Sequence, residues 1–154
     1  MDSASLCRTE KRWGLVAKNG VPGETQGNAV AAAPAGGAYV AGASTGAGAD
    51  PNLVVVRFDA TGNFVWQRVG GPGFGSSQDV AVGPDGNVHV TGNVLAEGDE
   101  SGGNAFVWTL SANGKGNDAG VWGGDDPFEI EHGASIATAP GGALLVAGSA
   151  GAPP

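Results

Sequence analysis

The sequence predicts an all-β chain built from repeated units of four short strands, and three observations carry that expectation. Valine supplies 17 residues against two isoleucines and seven leucines, and glycine supplies 30 of 154. β-Branched side chains fit a pleated backbone and glycine fits tight turns, so this mixture favours short strands. No stretch carries an apolar 3.6-residue period long enough for a helix. Most telling, the sequence repeats itself.

Residues 27–42 read GNAVAAAPAGGAYVAG, residues 77–92 read SQDVAVGPDGNVHVTG, and residues 133–148 read GASIATAPGGALLVAG. Val30, Val80 and Ile136 share one column, as do Pro34, Pro84 and Pro140. So do Ala31, Ala81 and Ala137, then Gly36, Gly86 and Gly142, then Val40, Val90 and Val146, and last Gly42, Gly92 and Gly148. The pattern is that of a hairpin. Val80 and Val82 alternate, Gly83 to Asn87 turn, and Val88 and Val90 alternate again. Proline presets φ early in the turn and glycine supplies a positive φ later. The final glycine marks a strand end or a close backbone approach.

Two further elements recur. Residues 52–62 (NLVVVRFDATG) and 104–114 (NAFVWTLSANG) each give a strand followed by an Asp/Ser-Ala-x-Gly turn. A tryptophan strand precedes each hairpin, at Trp13, at Trp66 and at Val121-Trp122. The unit is therefore a tryptophan strand, a two-stranded hairpin and an outer strand with its turn. Four strands in roughly 50 residues is the content of one propeller blade. The expected division is an N-terminal segment (1–12), blade one (13–63), blade two (64–117), an incomplete blade three (118–150) and a tail (151–154). Residues 2–9 could supply the missing outer strand of blade three. Three blades do not close a ring, which needs about four to eight. The expectation is a partial propeller or one part of a multi-chain ring, as a homo-oligomer or within a longer propeller chain.

These residues resemble the bacterial β-propeller repeats known as SBBP repeats. The closest stretch runs from Trp66 through Gly70-Gly71, through Asp79-Val80-Ala81-Val82-Gly83-Pro84-Asp85-Gly86-Asn87-Val88-His89-Val90-Thr91-Gly92, and on to Gly102-Gly103-Asn104-Ala105-Phe106-Val107. The likeness extends from Trp13 to Gly148, with Asn52 and Asn104 where such repeats usually carry aspartate. It implies propeller blades in an exported, periplasmic or surface-attached protein, and no particular activity. The first thirteen residues show no basic segment followed by an apolar one, so no signal peptide is expected within this chain.

Charge narrows the partners. Fifteen acidic residues against seven basic give a net charge of −8. Nucleic acids and anionic membranes both require a basic footprint, so neither is an expected partner. No apolar run reaches the ~18 residues of a spanning helix, and no membrane insertion is expected. The single cysteine, Cys7, cannot form an intrachain disulfide and reads as a small hydrophobe.

Chemistry-bearing motifs are sparse. Gly42-Ala43-Ser44-Thr45-Gly46 matches a nucleophile elbow, but the following GAGADPN cannot start the helix that the elbow needs. His89 has Tyr39 and Leu145 as repeat equivalents, which makes packing its expected role. The densest acidic stretch holds Asp125, Asp126, Glu129 and Glu131 beside His132, and its oxygen donors could gather a hard cation such as Ca²⁺. Neither calcium-loop spacing is present, so solvated loop charges are the default and no other cofactor is implied. Glu97, Asp99 and Glu100 form a second, weaker cluster. Trp13, Trp66, Trp108 and Trp122 are candidate sugar-stacking platforms; Trp13 and Trp66 recur at one blade position and read better as packing between blades, whereas Trp108 stands opposite Val56 and is the more individual residue. The candidate ligand-binding residues are thus Trp108, Glu97, Asp99, Glu100, Asp125, Asp126 and His132; the candidate metal ligands are Asp125, Asp126, Glu129 and Glu131.

Two functional readings follow. One is a non-catalytic binding or scaffolding module that takes protein or carbohydrate through loops carried on rigid strands. The alternative is a propeller-type lyase or hydrolase whose channel site uses acidic residues and His132.

Overall fold

A computed structural model describes residues 25–45, 51–95, 103–116, 118–123 and 130–151. Among these residues all nine elements are strands: β1 (Thr25–Ala32), β2 (Ala38–Ser44), β3 (Asn52–Phe58), β4 (Phe64–Val82), β5 (Val88–Leu95), β6 (Asn104–Leu110), β7 (Asp118–Trp122), β8 (Ile130–Thr138) and β9 (Leu144–Gly151). The predicted all-β class holds. Strands β1 to β7 form one open antiparallel sheet in sequence order, and β8 pairs with β9. The proposed closing strand at residues 2–9 and the Trp13 strand lie outside the described residues.

One long strand organises the large sheet. The first part of β4, Phe64 to Val69, pairs with β3, while Phe74 to Val82 pairs with β5. Gly70 and Gly71, with φ of 109° and 152°, redirect the chain between the two parts. Side chains rarely adopt such angles, so a glycine pair is what lets one strand serve two meanders. The sheet therefore consists of two four-stranded meanders, β1-β2-β3-β4 and β4-β5-β6-β7. Each Trp66-type strand closes the unit before it. The hydrogen-bonded units thus run one strand out of phase with sequence blocks that start at Trp13, Trp66 and Val121-Trp122.

The repeat columns now have physical causes. Five turns share one geometry, at residues 33–37, 59–63, 83–87, 111–115 and 139–143. In the third, the Gly83 amide donates to the Asn87 carbonyl at 2.8 Å and the Gly86 amide to the Gly83 carbonyl at 2.9 Å. The glycine at the fourth position takes a φ of 73° to 85° in all five, at Gly36, Gly62, Gly86, Gly114 and Gly142. This is a type I turn closed by a glycine bulge, a favoured three-residue hairpin connection. The proline-containing and Asp/Ser-Ala-x-Gly turns are one conformation in two sequences.

A second device sits at the start of each hairpin. The pairing skips one residue between Gly27 and Ala29, between Ser77 and Asp79, and between Gly133 and Ser135. Each β-bulge swings a carbonyl, of Gln26, Ser76 or His132, against the glycine across the strand. A Cβ on Gly42, Gly92 or Gly148 would lie 1.8–2.1 Å from that oxygen. The repeated glycine is therefore not a strand end. It is an interior position whose side-chain space is filled by backbone.

The core lies between the two meanders. Leu53, Val55, Tyr39 and Ala41 of the first face Val80, Val88, Val90, Phe106, Trp108 and Leu110 of the second. Alternation assigns these faces, since β3 and β6 each send neighbouring residues to opposite sides.

Candidate functional site

The contacts that join one unit to the next come from the bulged strands. Asn28 Nδ2 donates to Ser76 Oγ at 2.9 Å and to the Ser77 carbonyl at 2.8 Å. One unit along, the carboxylate of Asp79 accepts from Ser135 Oγ and the Ile136 amide, both at 2.8 Å, and from its neighbour Val80 at 2.8 Å. Thr138 Oγ1 donates to the Val82 carbonyl at 3.0 Å. The first strands β1, the second part of β4, and β8 thus lie side by side. At the other end of the meanders, Trp66 Nε1 donates to the Ala112 carbonyl at 3.1 Å, and its ring fills the space above Gly114. Tyr39 packs against Trp66 with ring centroids 5.9 Å apart, and Arg57 lies 4.9 Å over the Tyr39 ring. Trp66 is a packing residue between units.

A large opening lies where the β8–β9 hairpin meets the second meander. It encloses about 560 Å³ and is lined mainly by apolar side chains, among them Ala105, Val107, Trp122, Leu144 and Val146. Glu131 and His132 stand on its rim, both half-buried. Ligand sites generally pair such apolar walls with few polar groups.

Of the predicted site residues, Trp108 and His132 are described. His132 reaches the opening. Trp108 is completely buried at the centre of the core, and so offers no face on which a sugar could stack. Glu97, Asp99, Glu100, Asp125, Asp126 and Glu129 lie outside the described residues, and Glu131 is the one candidate metal ligand within them. Among the described residues no group of three or more His, Cys, Asp or Glu side chains comes together. Ser44, at the end of β2, sits opposite Thr25 in the β1–β2 hairpin with their hydroxyls 3.3 Å apart.

His89 is buried on the face turned towards β8, with Nδ1 3.0 Å from Thr109 Oγ1. Loss of hydration there lowers its pKa below the usual 6.5, partly opposed by the Asp85 carboxylate. Asp59 shows the opposite logic in the open. Its carboxylate accepts from the Thr61 hydroxyl, the Asn63 amide and the Thr61 amide, which lowers its pKa to about 2. Both are structural groups, one in an interface and one in a turn.

Sequence reasoning did not single out Asp79 as the link between units or Ala105 as a cavity wall, and it named Trp122 only among the sugar-stacking candidates. The signal for Trp122 was present, because it occupies the Trp66 position of the repeat, 56 residues on. Comparison with protein-family models and with curated proteins finds no match for this chain.

Proposed function

We propose that this chain is a run of propeller-type blades that acts as a non-catalytic binding or scaffolding module, for protein or carbohydrate ligands, in an exported or cell-surface protein. The single observation that carries the reading is the recurrence of one four-stranded meander, with the first strands of successive units side by side. Blades packed in this way give a rigid frame whose connections and inter-unit clefts are free to vary, and binding residues concentrate in such places. The net charge of −8 supports partners that are neither nucleic acid nor anionic membrane. Calcium would add a loop-bound role for the acidic residues and is not required by the frame.

The lyase or hydrolase alternative is favoured by one observation, the position of His132 and Glu131 on the rim of the 560 Å³ opening. A glycan and peptide array, read beside a panel of glycoside, ester and uronate substrates, separates the two. The module reading expects retention on the array and no turnover. Turnover that His132→Ala abolishes, with the fold intact by circular dichroism, would replace it with the enzyme.

A further inference from the structure

Strand β4 passes from the first meander to the second across Gly70-Gly71-Pro72-Gly73, and register places the residues just beyond on one face. Asn52 of β3 stands opposite Phe74, Phe74 opposite Leu95, and Ser76 opposite Asn93. Their neighbours Leu53 and Val94 are wholly buried in the core between the meanders. Alternation therefore turns Asn52, Phe74, Ser76, Asn93 and Leu95 to the side away from that core. Two openings meet there at Phe74. One, of about 180 Å³, is bordered by Pro51, Ser76, Asn93 and Leu95. The other, of about 250 Å³, is bordered by Asn52 and the glycine crossing.

The frame does not ask for these side chains. In the repeat columns Phe74 answers to Ile130, and Asn93 to Ala43 and Ser149. Phe74 nevertheless keeps its ring 40% exposed. Among the described residues no hydrogen bond engages the side chain of the half-buried Asn93, which leaves its two donors and its acceptor to a ligand. Ser76 is held in place, since Asn28 Nδ2 donates to its Oγ at 2.9 Å. Asn52 adds a second carboxamide. Among the described residues no charged side chain lines either opening.

An exposed ring bordered by uncharged donors and acceptors matches a ligand that is apolar on its flat faces and hydroxylated round its rim. That is the chemistry of a neutral sugar ring. The net charge of −8 works against an acidic sugar. An extended peptide fits less well. At these residues β3, β4 and β5 are each paired on both edges, so no backbone row is open to an added strand. We infer that Phe74, with Asn52, Ser76 and Asn93 around it, forms a binding site for neutral saccharides. The Phe74 ring stacks on a sugar face, and Asn93 and Ser76 bond its hydroxyls. The inference rests on the binding-module reading and gives that reading a site and a ligand class.

The test titrates the isotope-labelled full chain with the methyl glycosides of glucose, galactose, mannose and N-acetylglucosamine, followed by proton–nitrogen NMR. At least one sugar should saturably shift the Asn93 side-chain amide and the backbone amides of Gly73 to Ser76. Phe74→Ile and Asn93→Ala should each weaken that sugar about tenfold. Both install a residue that the repeat already carries at an equivalent position, Ile130 and Ala43, and unchanged spectra elsewhere identify the folded variants. Phe74→Ile keeps apolar bulk and loses only the ring, which separates stacking from packing. Full affinity in Phe74→Ile overturns the inference. So does a folded chain in which neither these sugars nor any glycan retained on the array shifts these amides. The glycan and peptide array separates the two levels. A ligand retained there that leaves Phe74 and Asn93 unmoved rejects this site and keeps the binding module. A peptide that moves them rejects the saccharide, and an array without retention rejects site and module together.

Discussion

At the scale of single residues, two positions state what this fold demands. Gly92 lies where a cross-strand carbonyl takes the place of a side chain, 2.1 Å from any Cβ. Gly92→Ala must push two strands apart, and we expect a loss of about 2 kcal/mol or more, read from urea unfolding. His89 gives a pH signature whose sign follows from its burial. The unfolded chain takes up a proton near pH 6.5, while the folded chain does so only at lower pH. Stability is therefore full above 6.5 and falls as pH drops from there towards the folded value. His89→Tyr, which installs the residue of the equivalent position Tyr39, should flatten that part of the profile, and unfolding midpoints across about pH 5–7 would show it. Trp108, singled out by sequence as a candidate platform, is the largest wholly buried side chain. Trp108→Ala is expected to cost about 3–5 kcal/mol.

At the scale of elements, the hairpins were legible because their turn chemistry is local. A proline or an Asp/Ser-Ala pair, followed by glycine at the fourth position, fixes the same type I turn five times. The alternation in β5 and β6 likewise announces which residues share a face. What the elements do to one another was harder to read. Asp79 has no role assigned from sequence, yet it joins β4 to β8 through Ser135 and Ile136. Asp79→Ala removes charge-assisted hydrogen bonds worth about 2 kcal/mol together. Limited proteolysis should then release the β8–β9 hairpin before either complete meander is cut. Equal susceptibility of all three units would reject Asp79 as the link.

At the scale of the whole molecule, the units are unequal. Two meanders share a strand and enclose a core, while among the described residues the third unit is a hairpin held by Asp79 and Thr138. The exposure of β9 against the burial of β5 predicts graded stability: β8 and β9 amides should exchange faster than those of β5 and β6 in hydrogen-exchange measurements.

The sequence by itself determined the strand class, the hairpins, where they turn and the period of the units, because each depends on local residue patterns. It also marked the glycine column, whose bulge needs only the two strands of one hairpin. Tertiary structure alone decided that the tryptophan strand closes the unit before it, because that choice lies in which neighbour its backbone pairs with. It likewise decided that Trp108 is core and Trp122 exposed. Both are tryptophans on strands, and only packing separates them: Trp108 turns into the core shared with the first meander and is wholly buried, whereas Trp122 stands 55% exposed beside the β8–β9 hairpin.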